Sequence, residues 1–248
     1  MPRHSIINKF IGWQTSWFLP TCLLLFFKKG EKVVKFFNAI ENLFRGEAMD
    51  RYIKEIVGKL WKEENKILIG ISGPGAAGKT TFAKKLIDSL DTEVNYLNTD
   101  PYIITDVRKY AEISYTYEKK NHMYKMTACH PVAHNLLVLT RDIERLKEGF
   151  TFKTIGTDYA KSMILSANNK INIVEGMSVA FLDLELFDFT IYLHVDGDVE
   201  LARRMDRYVK DRGHSIEHLR NSHIERRIQY ELFMHPMSEK FDLVIENS

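Results

Sequence analysis

The segment Gly73-Pro74-Gly75-Ala76-Ala77-Gly78-Lys79-Thr80 follows the spacing G-x-x-x-x-G-K-[ST]. Those residue types at that spacing build a phosphate cradle. Glycines let backbone N–H groups turn inward, a lysine reaches the outer phosphates, and a hydroxyl ligates Mg²⁺. In this chain Lys79 would bind phosphate, Thr80 would bind the metal, and Thr81 would join the nucleotide site. The same letters also read Gly73-x-Gly75-x-x-Gly78, a dinucleotide fingerprint, and Asp100 lies about where that motif places an acid on the ribose. A dinucleotide site has no use for a lysine and a hydroxyl directly after the third glycine. A triphosphate with Mg²⁺ uses both.

The elements needed to hold such a loop flank it. Ile67-Leu68-Ile69-Gly70-Ile71 is an apolar run of buried-strand type, and Phe82, Ala83, Leu86, Ile87 and Leu90 recur afterwards at helical spacing. The loop therefore opens a helix whose N-terminus favours anions. Ile53, Ile56, Val57, Leu60 and Trp61 mark an amphipathic helix leading into the first strand. Val94–Asn98 reads as a second strand, and 103–129 as a long loop or small hairpin insertion over the site. Pro131 is expected to begin a helix carrying Val132, Leu136, Leu139, Ile143 and Leu146 on one face, stopped by Gly149. Ile171–Gly176 and Thr190–Val195 read as strands, Val199–Arg212 as a very basic helix, Ile216–Phe233 as helical, and Leu243–Ile245 as a last strand. Alternating strands and helices predict an α/β domain with a mostly parallel sheet covered on both faces. Ligands in such sheets bind beyond the carboxyl ends of the strands.

Two carboxylates stand at those ends. Asp100 precedes a proline after a strand, and it reads either as a general base toward an attacking hydroxyl or as a turn aspartate. Glu175, at the tip of an apolar strand, would hold Mg²⁺ beside Thr80. Arg203, Arg204, Arg207 and Arg212 cluster on one helix, with Arg203 and Arg207 sharing a face. They fit a solvated basic surface or a lid that surrounds a migrating phosphoryl group. Tyr110, Tyr115, Tyr117, Tyr124 and His122 in the insertion could stack on a ligand ring or on one another.

Composition narrows the class. The 248 residues are 45% hydrophobic and 27% charged, enough for one α/β domain or a domain with an appendage. Residues 1–48 hold seven Lys/Arg and three Asp/Glu, which leaves 28 basic against 30 acidic residues in the rest. The main body is thus no polyanion-binding surface, and nucleic acid is not an expected partner. Cys22 and Cys129 have no metal-ligand spacing and suit a reducing, cytoplasmic setting.

The expected organisation is an N-terminal extension, 1–48, and a phosphate-loop domain, 49–248. Phe10–Phe27 is an aromatic-rich apolar stretch at the lower limit of a membrane span, and Val33, Phe37, Ile40 and Phe44 have interfacial-helix spacing. A membrane partner follows only if this extension is part of the native protein. Arg45-Gly46-Glu47-Ala48 before Met49 is what a ribosome-binding site would encode if translated, so Met49 is an alternative start.

With these residues assembled, 66–247 resembles the uridine kinase and phosphoribulokinase family of P-loop kinases. The resemblance rests on Gly73–Thr80, Asp100-Pro101-Tyr102, His130-Pro131-x-Ala133, Val174-Glu175-Gly176, Leu201-Ala202-Arg203-Arg204 with Arg207, Arg212-Gly213, and Pro236 with Lys240-Phe241-Asp242. It implies a P-loop NTPase-type sheet with a helical lid, and ATP- or GTP-dependent, Mg²⁺-dependent phosphorylation of a primary hydroxyl. Lys79 and Thr80 would bind phosphates and metal, Asp100 would be the base, Glu175 would support the metal, and Arg203, Arg207 and Arg212 would belong to the lid. The expected acceptor is a nucleoside such as uridine, with Tyr102, His122, Cys129 and His130 as acceptor-side residues, and a homo-oligomer is compatible with the pattern. Uridine kinases usually carry an aspartate before the His-Pro pair, where it grips the ribose hydroxyls. This chain has Cys129 there, with His214 and Tyr208 as further departures in the lid.

Overall fold

The computed structural model describes residues 49–59, 65–158, 160–211 and 216–247. The expectations for residues 1–48, for Leu60 and Trp61, and for Arg212 and His214 lie outside the described residues. A boundary between two units falls after Ala48, and the unit from Met49 carries the fold set out below.

Five parallel strands make the central sheet: β1 (Ile67–Ser72), β2 (Val94–Asn98), β7 (Ile171–Glu175), β8 (Phe189–His194) and β9 (Leu243–Glu246), in the order β2-β7-β1-β8-β9. β1 and β7 sit inside the sheet with every residue buried. Alternation along them feeds two cores. Ile67, Ile69, Ile71, Ile171, Ile173, Ile191 and Leu193 face helix α1 (residues 49–59, with Ile53 and Ile56) and helix α2 (Lys79–Asp88, with Phe82 and Leu86). Leu68, Val174 and Tyr192 face the other way, toward helix α4 (Leu136–Glu148) through Leu139, Ile143 and Leu146. A sheet covered on both faces explains why these strands read as continuous apolar runs.

The insertion after β2 folds as the short helix α3 (Thr105–Tyr110) and an antiparallel hairpin of β3 (Glu112–Tyr117) and β4 (Lys120–Lys125). Glu118 and Lys119 both take positive φ, 49° and 64°, which suits a tight turn between twisted strands. A two-stranded piece, β5 (Phe152–Lys153) with β6 (Ile164–Leu165), precedes β7.

The helix expected from Pro131 is corrected. Pro131–Ala133 is a separate 3-10 turn, and His134 is extended at φ −123° and ψ 142°. α4 starts afresh behind Asn135, whose side chain accepts from Val138 N–H at 3.3 Å, and ends at Gly149 as read. Val132 is therefore 58% exposed rather than on the buried face. Two helices close the chain before β9, α5 (Gly197–Asp211) and α6 (Ile216–Gln229), and α6 runs on as a π-helical turn, Tyr230–Met234. Among the described residues no helix is long and apolar enough to cross a membrane.

Candidate active site

The glycine loop leaves the carboxyl end of β1 at the middle of the sheet. Gly73 takes φ +140°, and a methyl group there would overlap the Leu193 carbonyl of β8, so only glycine lets the loop turn this close to its neighbour. α2 follows directly. Its first turn carries no acidic residue and no side-chain cap, which leaves the positive end of the helix for an anion. Lys79 Nζ donates to the Pro74 carbonyl at 2.9 Å, so the ammonium arches over the loop. Asn247, just past β9, donates to the Ala77 carbonyl at 2.8 Å and props the loop from behind.

Parallel pairing sets Glu175 beside this loop. β7 lies between β1 and β2, with Ile71 and Asn98 as its register partners at Glu175. The carboxylate is 2% exposed, and one oxygen, Oε2, accepts from Thr80 Oγ1 at 3.2 Å, Tyr96 hydroxyl at 2.6 Å and Asn98 Nδ2 at 3.2 Å. Burial, then the charge and hydrogen bond of Glu175, pushes the Tyr96 phenol up, so it remains a donor at neutral pH. The donor set fits Mg²⁺. A buried carboxylate and an adjacent hydroxyl are hard oxygen ligands, and among the described residues no group of three or more His, Cys, Asp or Glu gathers into an all-protein cage. Mg²⁺ uses such sparse protein sites when phosphate and water supply the other ligands.

The remaining expected residues divide. Asp100 follows β2 at the start of a 3-10 turn, exposed at the same end of the sheet, with its N–H held by Asn98 Oδ1 at 2.8 Å. Arg203 reaches from α5 to donate to the Ala76 carbonyl of the loop at 3.2 Å, whereas Arg207 is exposed one turn on. Tyr102 turns into the core. It is 1% exposed, and its hydroxyl donates to buried Asp142 of α4 at 2.8 Å. Cys129 is likewise in the core, 3% exposed, and burial pushes its thiol up. His122 faces α6, its Nδ1 3.1 Å from Glu225 and its ring stacked on Tyr115. His130 packs its ring edge-on to Phe233, 4.6 Å between centroids.

Several site residues escaped sequence reasoning. Tyr96 and Asn98 had a usable signal, since alternate residues of a strand running to Asp100 share one face. Glu200, Arg226 and Arg227 had none. Glu200 is buried and pairs with Arg204 and Arg227, each at 3.3 Å, beside the glycine loop.

Residues 68–248 match the Phosphoribulokinase / Uridine kinase family. The chain belongs to that family. It is a family of nucleotide-dependent phosphotransferases. The chain is 25% identical over 199 residues to the chloroplastic phosphoribulokinase of Triticum aestivum, covering 74% of this chain and 48% of that one. It is 27% identical over 188 residues to uridine-cytidine kinase A of Dictyostelium discoideum, covering 72% and 34%. The chain thus spans about half the length, or less, of the curated relatives it matches. Among solved structures, phosphoribulokinase from Rhodobacter spheroides superposes with a TM-score of 0.50 at 15% identity, over 74% of this chain and 71% of that one, which speaks for the fold.

Proposed function

We propose that this chain transfers the terminal phosphoryl group of ATP or GTP to a primary hydroxyl of a small acceptor. The observation that carries the reading is the contact of Thr80 with buried Glu175 at the mouth of an open glycine loop. Lys79 exchanges the Pro74 carbonyl for phosphate oxygens, which are stronger acceptors for an ammonium. Asp100 takes the proton of the acceptor's hydroxyl from its place at the end of β2. Arg203, with Arg207 and Arg212 of the lid, surrounds the migrating charge. Thr80 and Glu175 would hold Mg²⁺, which would neutralise charge on the phosphates.

Uridine is the first acceptor to test, by family likeness to the uridine kinases. A second reading rests on Cys129. A buried thiol at the position of a ribose-gripping carboxylate does not accept hydrogen bonds from a diol as an aspartate does, which brings another nucleoside, a pantothenate-like compound and a sugar phosphate into the panel beside uridine. The test is Mg²⁺-dependent ADP or GDP release with a panel of these acceptors. Lys79→Ala and Asp100→Asn should each abolish turnover, while Asp100→Asn still binds ATP. A near-normal rate in Asp100→Asn removes the base assignment, and nucleotide binding without turnover on any acceptor would make the chain a regulator instead.

A further inference from the structure

We propose that Arg226, delivered from α6, is a catalytic residue that contacts the terminal phosphoryl group of the bound nucleotide. The inference rests on the phosphotransferase reading above and adds to it a cation outside the basic run of α5.

The first observation is the face of Gly75. Methyl groups on Gly73 or Gly78 would collide with Leu193 or Asn247, but one on Gly75 would make only ordinary contacts. The atoms nearest to it are Arg226 Nη2 at 3.9 Å and Glu200 Oε1 at 4.0 Å. An oxygen resting against the loop at that point lies within about 1 Å of hydrogen-bond distance from the guanidinium. The second observation is that Arg226 Nε is buried with no hydrogen-bond partner among the described residues. Guanidinium groups stay charged and carry five donors, so a buried one with an idle donor is poised for an anion.

Charge around it points the same way. Glu200 is the carboxylate beside Arg226, and it is already shared by Arg204 and Arg227. Arg203 adds a fourth guanidinium at Ala76. Glu200 thus serves Arg204 and Arg227 and lies beside Arg226, Arg227 pairs with Glu231 as well, and Arg203 reaches the loop itself. A phosphoryl group entering opposite Gly75 therefore meets a basic side of the loop. Burial, then repulsion from Arg204, pushes the Arg226 guanidinium down from its ordinary value, and an anion there relieves both effects. A cation supplied in cis to the migrating group is a known means of stabilising phosphoryl transfer.

Calorimetry with Mg-ADP and with a β,γ-imido analogue of ATP tests the contact. In Arg226→Ala the analogue should bind about 10–100-fold more weakly while ADP stays within about 2-fold, because ADP lacks the group that Arg226 touches. Basal ATP hydrolysis should fall by about 100-fold or more. Arg226→Lys keeps the charge but loses the fork and should fall between. Gly75→Ala places a methyl in ordinary contact with Arg226 and Glu200, folds, and takes the spot the phosphoryl oxygen would use, so it should lose the analogue selectively as well. Equal weakening of both ligands, or none, in any folded variant of this set overturns the proposal. If Arg226→Ala does not fold, Arg226→Lys and Gly75→Ala decide alone. Failure of the unaltered protein to bind either nucleotide refutes instead the reading on which this inference rests.

Discussion

Acidification should unfold this protein through His134, and the size of the effect follows from where the ring lies. His134 is 6% exposed, between the 3-10 turn at Pro131 and the one after Glu175. Its Nε2 is 2.9 Å from the Ala128 carbonyl, which only accepts, so Nε2 carries the proton and Nδ1 accepts from Ser178 Oγ at 2.8 Å. Burial holds its pKa down at about 4, against 6.5 for the free side chain. The unfolded chain therefore takes up a proton near 6.5 that the folded one refuses until about 4. Stability from this residue is complete above 6.5 and is lost as pH falls toward 4, at about 1.4 kcal/mol per pH unit. At about pH 5 the loss is about 2 kcal/mol, a large share of the roughly 5–15 kcal/mol that holds a domain together. Burial lowers His130, His194 and His223 too, so the whole protein loses more than this. Urea unfolding of the protein and of His134→Gln, at about pH 7.5 and about pH 5, isolates the one ring. Gln keeps a donor for Ala128 but does not titrate, so the difference between the two pH values should shrink by about 2 kcal/mol. A His134→Gln protein with the full acid sensitivity of its parent refutes the reasoning.

Two further outcomes come from the residues around Glu175. Gly176→Ala should destabilise the domain by about 2–5 kcal/mol, read from urea midpoints, because a methyl at φ +149° strains the backbone and overlaps the Thr99 side chain; a loss under about 1 kcal/mol would contradict the packing. Tyr96→Phe should cost about 1.5–3 kcal/mol by removing a 2.6 Å hydrogen bond to a buried carboxylate, and an unchanged unfolding midpoint would show that Tyr96 does not hold Glu175.

The inner strands of the sheet were legible because they are buried on both faces. Ile67 onward and Ile171 onward are rich in β-branched and large apolar residues, and flanking turn residues leave little choice of ends. The segment at Pro131 was misread for a local reason. Its apolar residues keep helical spacing straight through His134, and the spacing carries no trace of the extended backbone there. That conformation is imposed by partners distant in sequence, the Ser178 hydroxyl and an isolated bridge to Ile103, which no local pattern contains.

The site divides along the same line. The glycine loop and Glu175 could be read because each sits at a strand end, where parallel pairing alone fixes its position. Tyr102 and Cys129 lie at or beside motif residues in sequence, yet their side chains go to the core; for Tyr102, a 3-10 turn sends consecutive residues in different directions. The arginines show the converse. Three on α5, Arg203, Arg204 and Arg207, stand out by density, but the guanidinium opposite Gly75 comes from α6, a helix polar enough along its length that Arg226 is indistinguishable there from a solvated charge. What marks it is a relation between elements: a buried nitrogen with no hydrogen-bond partner among the described residues, one carboxylate divided among arginines, and a loop glycine within contact distance. The phosphate-loop pattern in sequence therefore locates only the backbone part of the candidate site. The cations beside it, Arg203 of α5 and Arg226 of α6, are placed there by tertiary packing.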